Sequence, residues 1–177
     1  LQWAGLQNDV VFDETITQQG LDQYKVLVMM HGDVVTESVL KKIQEFQQRG
    51  GLVIADEHLT PAIKPDIRIT SYKRTGKADV DKQEFLKKAK ELRTALVGKY
   101  PRFVDSSNQN VVHYSRRSNN ADYIFLVNDH REFGKYVGHH GRVMENGLPS
   151  ETALTINRGD GYLYHLVNHQ PVTTRKS

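Results

Sequence analysis

Two continuous apolar runs with an amphipathic segment between them dominate the hydrophobic pattern of the chain. Residues 26–30 read VLVMM and residues 52–55 read LVIA, and such uninterrupted runs are typical of strands covered on both faces in a parallel sheet. Between them apolar residues recur at helical spacing, at Val39, Leu40, Ile43 and Phe46. The pattern predicts a strand, helix and strand over residues 24–56, the core of an open α/β domain.

The ends of this helix are marked as well. Thr36 is a suitable N-cap, because its hydroxyl can accept a hydrogen bond from a free N–H of the first turn. Gly50 and Gly51 follow the last helical position, where glycine adopts a left-handed conformation that other residues resist. Since a helix that joins two such strands leaves them parallel, the sequence predicts a parallel pair.

Outside this unit the first hundred residues predict one further long helix and two short extended pieces. Residues 79–100 carry an apolar stripe on a charged helix. Residues 10–12 read as a short strand, with residues 13–16 as its exit loop. Two prolines make residues 58–72 a loop, with a short extended piece at residues 67–71.

After residue 108 the pattern changes to strands and turns. Residues 112–127 predict one hairpin and residues 153–167 predict a second, while residues 128–149 between them are rich in glycine and polar residues. Strands gathered after helices favour two architectures in one chain. The sequence therefore predicts an α/β domain over residues 1–108 and a small antiparallel β domain over residues 109–177.

Composition excludes several classes of protein. The 177 residues, 20.2 kDa and a net charge of +3 fit one large or two small globular domains. Basic residues concentrate between residues 73 and 117, but interleaved acidic residues and the lack of an aromatic ladder favour a solvated helix face over nucleic-acid binding. No apolar run is long enough to span a membrane. Without cysteine the chain has no disulfide, thiolate zinc site or cysteine nucleophile.

Polar residues that could carry chemistry follow each of the two buried strands. His31 and Asp33 come after the first, and Asp56, Glu57 and His58 come after the second. Ligands bind beyond the carboxyl ends of the strands in open α/β sheets, so we expect the two loops to be neighbours. Histidines and carboxylates at one edge can perform general acid–base chemistry or bind a metal, but they are also common in loops without chemistry.

Other features needed by enzymes of this architecture are missing. No G-x-S-x-G turn occurs in the chain. Gly50 and Gly51 stand at the end of a helix, so they cannot present N–H groups to a phosphate. No catalytic residue is therefore assigned, and no metal or cofactor is predicted. The candidates for an acid–base site are Asp33, Asp56, Glu57 and His58.

The second half offers weaker candidates. Residues 128–131, Asn-Asp-His-Arg, close the strongest strand there and could bind sugar or simply end the strand. His139 and His140 are adjacent, so on a strand they would point to opposite faces and make a poor metal pair. Trp3 is the only tryptophan, whereas a carbohydrate-binding face usually offers several aromatic side chains.

Two parts of the sequence resemble a known family. The strand, helix, Gly-Gly and Val-Ile-Ala-Asp pattern of residues 21–56 resembles the glutamine-amidotransferase-like domain appended to bacterial glycoside hydrolases, best known as the trimerisation domain of family 42 β-galactosidases. The second half resembles the β-rich region that follows such domains, at residues 122–129, 138–145, 147–149 and 161–164.

The resemblance implies a fold and a role. The fold would be a flavodoxin-like open parallel sheet followed by a small antiparallel β domain, and a helix at residues 1–6 with no strand before it predicts that the first strand is missing. Such domains have lost the amidotransferase nucleophile, assemble subunits and wall the active site of a separate catalytic barrel. The expected partners are the rest of the polypeptide, a second copy of the chain and carbohydrate.

Two other functions stay open. The first is a hydrolase that uses Asp33, Asp56, Glu57 and His58 at the strand ends, with or without a metal. The second is a glycan-binding module that uses the β half. The resemblance points to a periplasmic or secreted bacterial protein, and the sequence itself does not determine the compartment.

Overall fold

A three-stranded parallel sheet lies at the centre of the α/β half. The structure is a computed structural model that describes residues 1–137, 142–159 and 161–174. The strands are β1 (Val26–Met29), β2 (Leu52–Ala55) and β3 (Ile67–Arg68), in the order β1-β2-β3. Both neighbouring pairs are parallel. The predicted strand, helix and strand unit is confirmed, as is part of the predicted extended piece.

Helices cover both faces of this sheet. They are a short 3₁₀ helix (Gln2–Ala4), α1 (Asp13–Gln19), α2 (Glu37–Gln48) and α3 (Ala78–Ala95). Val53 of β2 packs into one apolar cluster with α1 and α2, whereas its neighbour Ile54 packs into another with the 3₁₀ helix and α3. Alternate residues of a strand point to opposite faces, so the continuous apolar run of β2 is buried on both sides.

The end of α2 is fixed by its two glycines. Gly50 has a φ of +88°, and its N–H donates to the carbonyl of Gln47 at 2.9 Å. The Gly51 N–H donates to the carbonyl of Phe46, also at 2.9 Å. These two bonds form a Schellman motif, which satisfies carbonyls that the helix leaves open. At the other end, Thr36 is the N-cap as predicted, but its hydroxyl lies 3.2 Å from the Ser38 hydroxyl and caps no backbone N–H.

The prediction for residues 10–16 is wrong. The structure assigns no strand to residues 10–12, and residues 13–16 begin α1 instead of forming a loop. Asp13 and Glu14 occupy the first turn, where negative charge interacts favourably with the helix dipole. With only Ile16 buried, a helix this short shows no apolar stripe for sequence reasoning to find.

The long helix is confirmed over most of its length and ends earlier than predicted. It covers residues 78–95, and residues 96–99 form turns. Gly98 has a φ of +74°, a left-handed conformation that no α-helix contains. The predicted stripe is correct at Ala89, Leu92 and Leu96, all of which are buried.

Four two-stranded antiparallel sheets make up the described β half. Their strands are β4 (Val104–Ser106) with β9 (Leu154–Ile156), β5 (Val111–Ser118) with β6 (Ala121–Asn128), β7 (Arg131–Val137) with β8 (Arg142–Gly147), and β10 (Tyr164–His165) with β11 (Gln170–Pro171). The first predicted hairpin is therefore confirmed as β5–β6. The fold class is confirmed as a mixed α/β protein with a parallel sheet and small antiparallel sheets.

The second predicted hairpin is wrong. Its first strand, β9, pairs with β4 across a separation of about fifty residues, and its second part contributes β10 to a different pair. The long-range pairing is supported by polar contacts, since the Ser106 and Thr152 hydroxyls lie 2.8 Å apart and the Asn157 N–H donates to the Phe103 carbonyl at 2.8 Å. Sequence periodicity cannot identify such a distant partner.

Contacts cross the predicted domain boundary near residue 108. The β4–β9 sheet joins strands from both sides of it. Gln109 donates from its side chain to the Leu86 carbonyl of α3 at 2.8 Å, and the Ser115 N–H donates to the Gln7 side chain at 2.9 Å. The division into residues 1–108 and 109–177 stays a prediction.

Buried hydrophobic residues are confined to the first part of the chain. Among the residues whose burial is described, every buried hydrophobic residue lies at or before Val111. After Val111, the strands of the β half therefore present no buried hydrophobic side chain where burial is described. Within the same described ranges, no helix has the length and hydropathy required to cross a bilayer.

We expect Gly51→Ala to lower the free energy of unfolding by about 1–3 kcal/mol, because a Cβ there would overlap the Phe46 ring in a packed core. Urea unfolding measures this change. Gly147→Ala is the matched control, since its Cβ would meet no atom within 4 Å. Equal stability of the two variants would contradict the packing described for the end of α2.

Candidate functional site

A buried carboxylate joins the two loops at the carboxyl ends of β1 and β2. Asp56 follows β2 directly and is 0% exposed. Its Oδ2 accepts the backbone N–H of His31 at 3.0 Å, and its Oδ1 accepts the backbone N–H of His58 at 3.1 Å. The two predicted loops are therefore neighbours, and Asp56 holds them together.

The His31 ring lies on the same carboxylate. Its Nδ1 is 3.0 Å from Asp56 Oδ2, while most of the ring is exposed. His31 has a φ of +53°, a strained conformation for a residue other than glycine. The His58 ring lies beside it, with ring centroids 4.3 Å apart and a tilt of 34°. The structure thus brings together two histidines and one buried aspartate.

The hydrogen bonds determine the ionisation of Asp56. Burial by itself would raise its pKa, but the N–H groups of His31 and His58, together with the His31 ring, lower the pKa below its usual value. A carboxylate that accepts several N–H groups is stabilised in its charged form. Asp56 is therefore ionised at neutral pH and acts as an acceptor for both loops.

Glu57 is fixed by Ser71. The Ser71 hydroxyl donates to Glu57 Oε1 at 2.5 Å, and the Ser71 N–H donates to Oε2 at 2.9 Å. The side-chain hydrogen bond from Ser71 is the main reason that the pKa of Glu57 falls to about 2. A carboxyl group with this pKa carries no proton near neutrality, so Glu57 is unsuited to general acid catalysis.

The four candidates are thus only partly assembled. Asp56, Glu57 and His58 are adjacent, and the His58 Nε2 lies 3.7 Å from Glu57 Oε1. Asp33 is exposed and takes no part in the described hydrogen bonds or ion pairs that join the others. In the described part of the chain, no group of three or more His, Asp or Glu side chains could hold a metal ion.

The chemistry available at this edge is limited. The His31 and Asp56 pair has the arrangement of a base and the carboxylate that orients it. A nucleophile next to that base is required for covalent catalysis. The nearby Ser71 hydroxyl donates to Glu57 instead of to a histidine. Because no described contact places a nucleophilic side chain against His31, the chemistry left to the His31 and Asp56 pair is activation of a water molecule.

Sequence reasoning missed a second carboxylate that organises a loop. Asp81, in the first turn of α3, is buried. It accepts the Thr75 N–H and hydroxyl at 2.8 Å each, the Gly76 N–H at 3.1 Å and the Tyr72 hydroxyl at 2.9 Å. The Thr75 N–H contributes most to the fall of its pKa to about 2. The only signal in the sequence was an acidic residue in the first turn of a helix.

Hydrogen bonds to other parts of the chain hold the cluster at residues 128–131. The Asn128 amide donates to the Leu148 carbonyl at 2.7 Å, and the His130 Nδ1 lies 3.1 Å from the Pro149 carbonyl. Asp129 accepts the indole N–H of Trp3 at 2.8 Å, which connects two features that the sequence left separate. His139 and His140 lie outside the described residues.

We expect Asp56→Asn to lower the free energy of unfolding at pH 7 by about 1–3 kcal/mol, because the buried NH₂ group would face a backbone N–H donor instead of accepting its hydrogen bond. The matched control is Asp33→Asn, which should stay within about 0.5 kcal/mol of the wild type. Urea unfolding checks both values. Similar stabilities of the two variants would contradict the role of Asp56.

The pH dependence of this difference follows from the lowered pKa of Asp56. A carboxylate with a folded-state pKa below its unfolded value stabilises the fold above the unfolded pKa, and the contribution disappears as pH falls through the folded pKa. The gap in stability between the wild type and Asp56→Asn should therefore be full at pH 6–7 and shrink below about pH 4. A gap that grows on acidification would contradict the assignment.

Comparison with known proteins leaves the identity of the chain open. No family model, curated protein or solved structure matches it. Its function is therefore inferred from its own sequence and geometry.

Proposed function

We propose that this chain is a noncatalytic accessory module of a larger bacterial carbohydrate-active protein, a β-galactosidase-like glycoside hydrolase. In this proposal a flavodoxin-like α/β part and a β part assemble with the rest of the polypeptide. The module supports oligomerisation and shapes the neighbouring active site, as the resemblance over residues 21–56 implies.

The observation that carries the proposal is the scarcity of buried hydrophobic residues in the β half, among the residues whose burial is described. Among the residues after Val111 whose burial is described, no hydrophobic residue is buried. Large apolar side chains there are exposed instead, among them Tyr162, Leu166 and Val167. Exposed apolar side chains in close succession mark surfaces that another protein covers.

Physical reasoning connects that surface to an assembly role. An isolated two-stranded sheet is marginally stable in water, because burial of apolar surface has to offset the entropy of ordering the chain. The described β half consists of such pairs. A covering partner supplies the missing burial, and the rest of the same polypeptide is the partner that is always present.

The strand-end edge supports a noncatalytic role. Asp56 holds the loops at His31 and His58 through their backbone N–H groups, and Ser71 holds Glu57. Carboxylates used in this way maintain loop conformation. The same edge then presents a fixed surface to a neighbouring domain, which suits a wall of an active site.

The sheet supports the flavodoxin-like part of the proposal. Its strands are parallel and buried between helices on both faces. β1 is an edge strand of the described sheet, so one side of its backbone has no strand partner there. A strand added beside β1 would extend the sheet in the manner of a doubly wound domain.

Native size tests this proposal. We expect an antibody raised against the chain to detect a denatured polypeptide far larger than 20.2 kDa in extracts of the source cells. A band near 20 kDa would contradict a module of a larger protein. A native gel of the same extract then reports whether the intact protein is an oligomer.

The second candidate function is a hydrolase, and the contact between His31 and Asp56 is the observation that favours it. A positioned histidine base accelerates hydrolysis by about 10²–10⁴-fold. The proposed accessory role predicts no turnover of aryl glycosides or esters by the purified chain. Turnover that His31→Ala removes and the exposed control His169→Ala preserves would replace the accessory role with the hydrolase.

A further inference from the structure

A groove separates the N-terminal segment from the β5–β6 hairpin. Its volume is about 370 Å³, within the ~300–1,000 Å³ typical of small-molecule sites. The N-terminal segment and residues 112–131 line it, chiefly through Gln2, Trp3, Asn8, Tyr114, Phe125 and Asp129. The two walls are more than a hundred residues apart in the sequence, so the groove exists only in the folded chain.

Polar contacts hold the two walls in place. The Trp3 indole N–H donates to Asp129 Oδ2 at 2.8 Å, and Arg131 Nη2 lies 3.0 Å from Asp129 Oδ1. Gln7 accepts both the N–H and the hydroxyl of Ser115 through its side-chain oxygen, at 2.9 and 3.2 Å. The groove is therefore formed before any ligand arrives, which lowers the entropy cost of binding.

One side of the groove is an aromatic and aliphatic surface. Tyr114 is opposite Phe125, and Val112 is opposite Val127, so the four side chains share one face of the hairpin. Phe125 is 55% exposed and Val127 is 60% exposed. Arg116 lies 5.1 Å from the centre of the Tyr114 ring, which leaves Phe125 as the main surface for stacking.

The opposite side offers amides. Gln2, Gln7 and Asn8 line the groove, and an amide carries both donors and acceptors. Because the oxygen of Gln7 accepts from Ser115, its NH₂ group remains as a donor toward a ligand. Amides that offer both donors and acceptors can bond to the hydroxyl groups of a sugar.

The groove favours a neutral ligand. Its charged lining residues are Asp129 and Arg131, which form an ion pair with each other. Burial lowers the pKa of His113, also in the lining, so its ring adds no charge at neutral pH. A charged ligand would have no unpaired counter-charge among these residues.

We propose that this groove binds a neutral oligosaccharide. The apolar face of a sugar ring stacks on Phe125, and its hydroxyl groups bond to the amides of Gln2, Gln7 and Asn8. This inference goes beyond the assembly role. It uses a surface distinct from the exposed side chains at Tyr162, Leu166 and Val167, so failure of one proposal does not imply failure of the other.

Trp3 provides a direct reporter, since it is the only tryptophan and lines the groove. The chain is titrated with neutral di- and trisaccharides of glucose, galactose, mannose or xylose while tryptophan emission is followed. At least one sugar should give a saturable change with a Kd below about 10 mM. No saturable change with any of these sugars would overturn the proposal.

Variants assign the signal to the groove. Phe125→Ala should weaken binding by about fivefold or more, since lost aromatic contact costs about 1 kcal/mol. Phe12→Ala removes a phenyl ring that is also more than half exposed but lies outside the lining residues, and this variant should bind as the wild type does. Asn8→Ala, at an exposed position, gives a second test on a different wall. Wild-type affinity in both groove variants would contradict the assignment.

Charged sugars test the argument from neutrality. Di- and trisaccharides of galacturonic acid are titrated under the same conditions. They should bind more weakly than the neutral galactose compounds of equal length. Tighter binding of the acidic series would overturn the choice of a neutral ligand.

Discussion

The burial of β2 on both faces is the constraint on which the rest of the α/β half depends. Val53 and Ile54 are neighbours in sequence, yet each packs into a different apolar cluster. Helices must therefore cover both sides of the sheet, and the two glycines after α2 return the chain directly into this strand. Asp56, the next residue after β2, is consequently buried at the edge where the loops meet.

That position explains why a potentially reactive carboxylate serves structure. A buried charge is costly unless hydrogen bonds compensate it, and the N–H groups of His31 and His58 provide the compensation. Asp81 repeats the arrangement at the start of α3, with Thr75 and Gly76 as donors. In both places a carboxylate orders a loop, which supports the accessory role over catalysis.

The sequence predicted those parts of the fold that depend on local pattern. The apolar runs of β1 and β2 and the stripe of α2 are local, and the structure confirms them. The pairing of β4 with β9 and the bond from Trp3 to Asp129 join residues far apart in sequence. The parallel pairing of β1 and β2 predicted that the loops after these strands meet. It did not predict that the Asp56 side chain accepts the backbone N–H groups of His31 and His58, because hydrogen-bond partners depend on three-dimensional placement.

The central claim is that the β half after Val111, which buries no hydrophobic residue where burial is described, relies on a partner. Hydrogen exchange of the isolated chain, read by mass spectrometry, tests it most directly. We expect strong protection in α2, β1 and β2, and much faster exchange in β10 and β11, whose residues are exposed, since poorly buried elements open at low free-energy cost. Protection of β10 and β11 equal to that of β2 would contradict the claim.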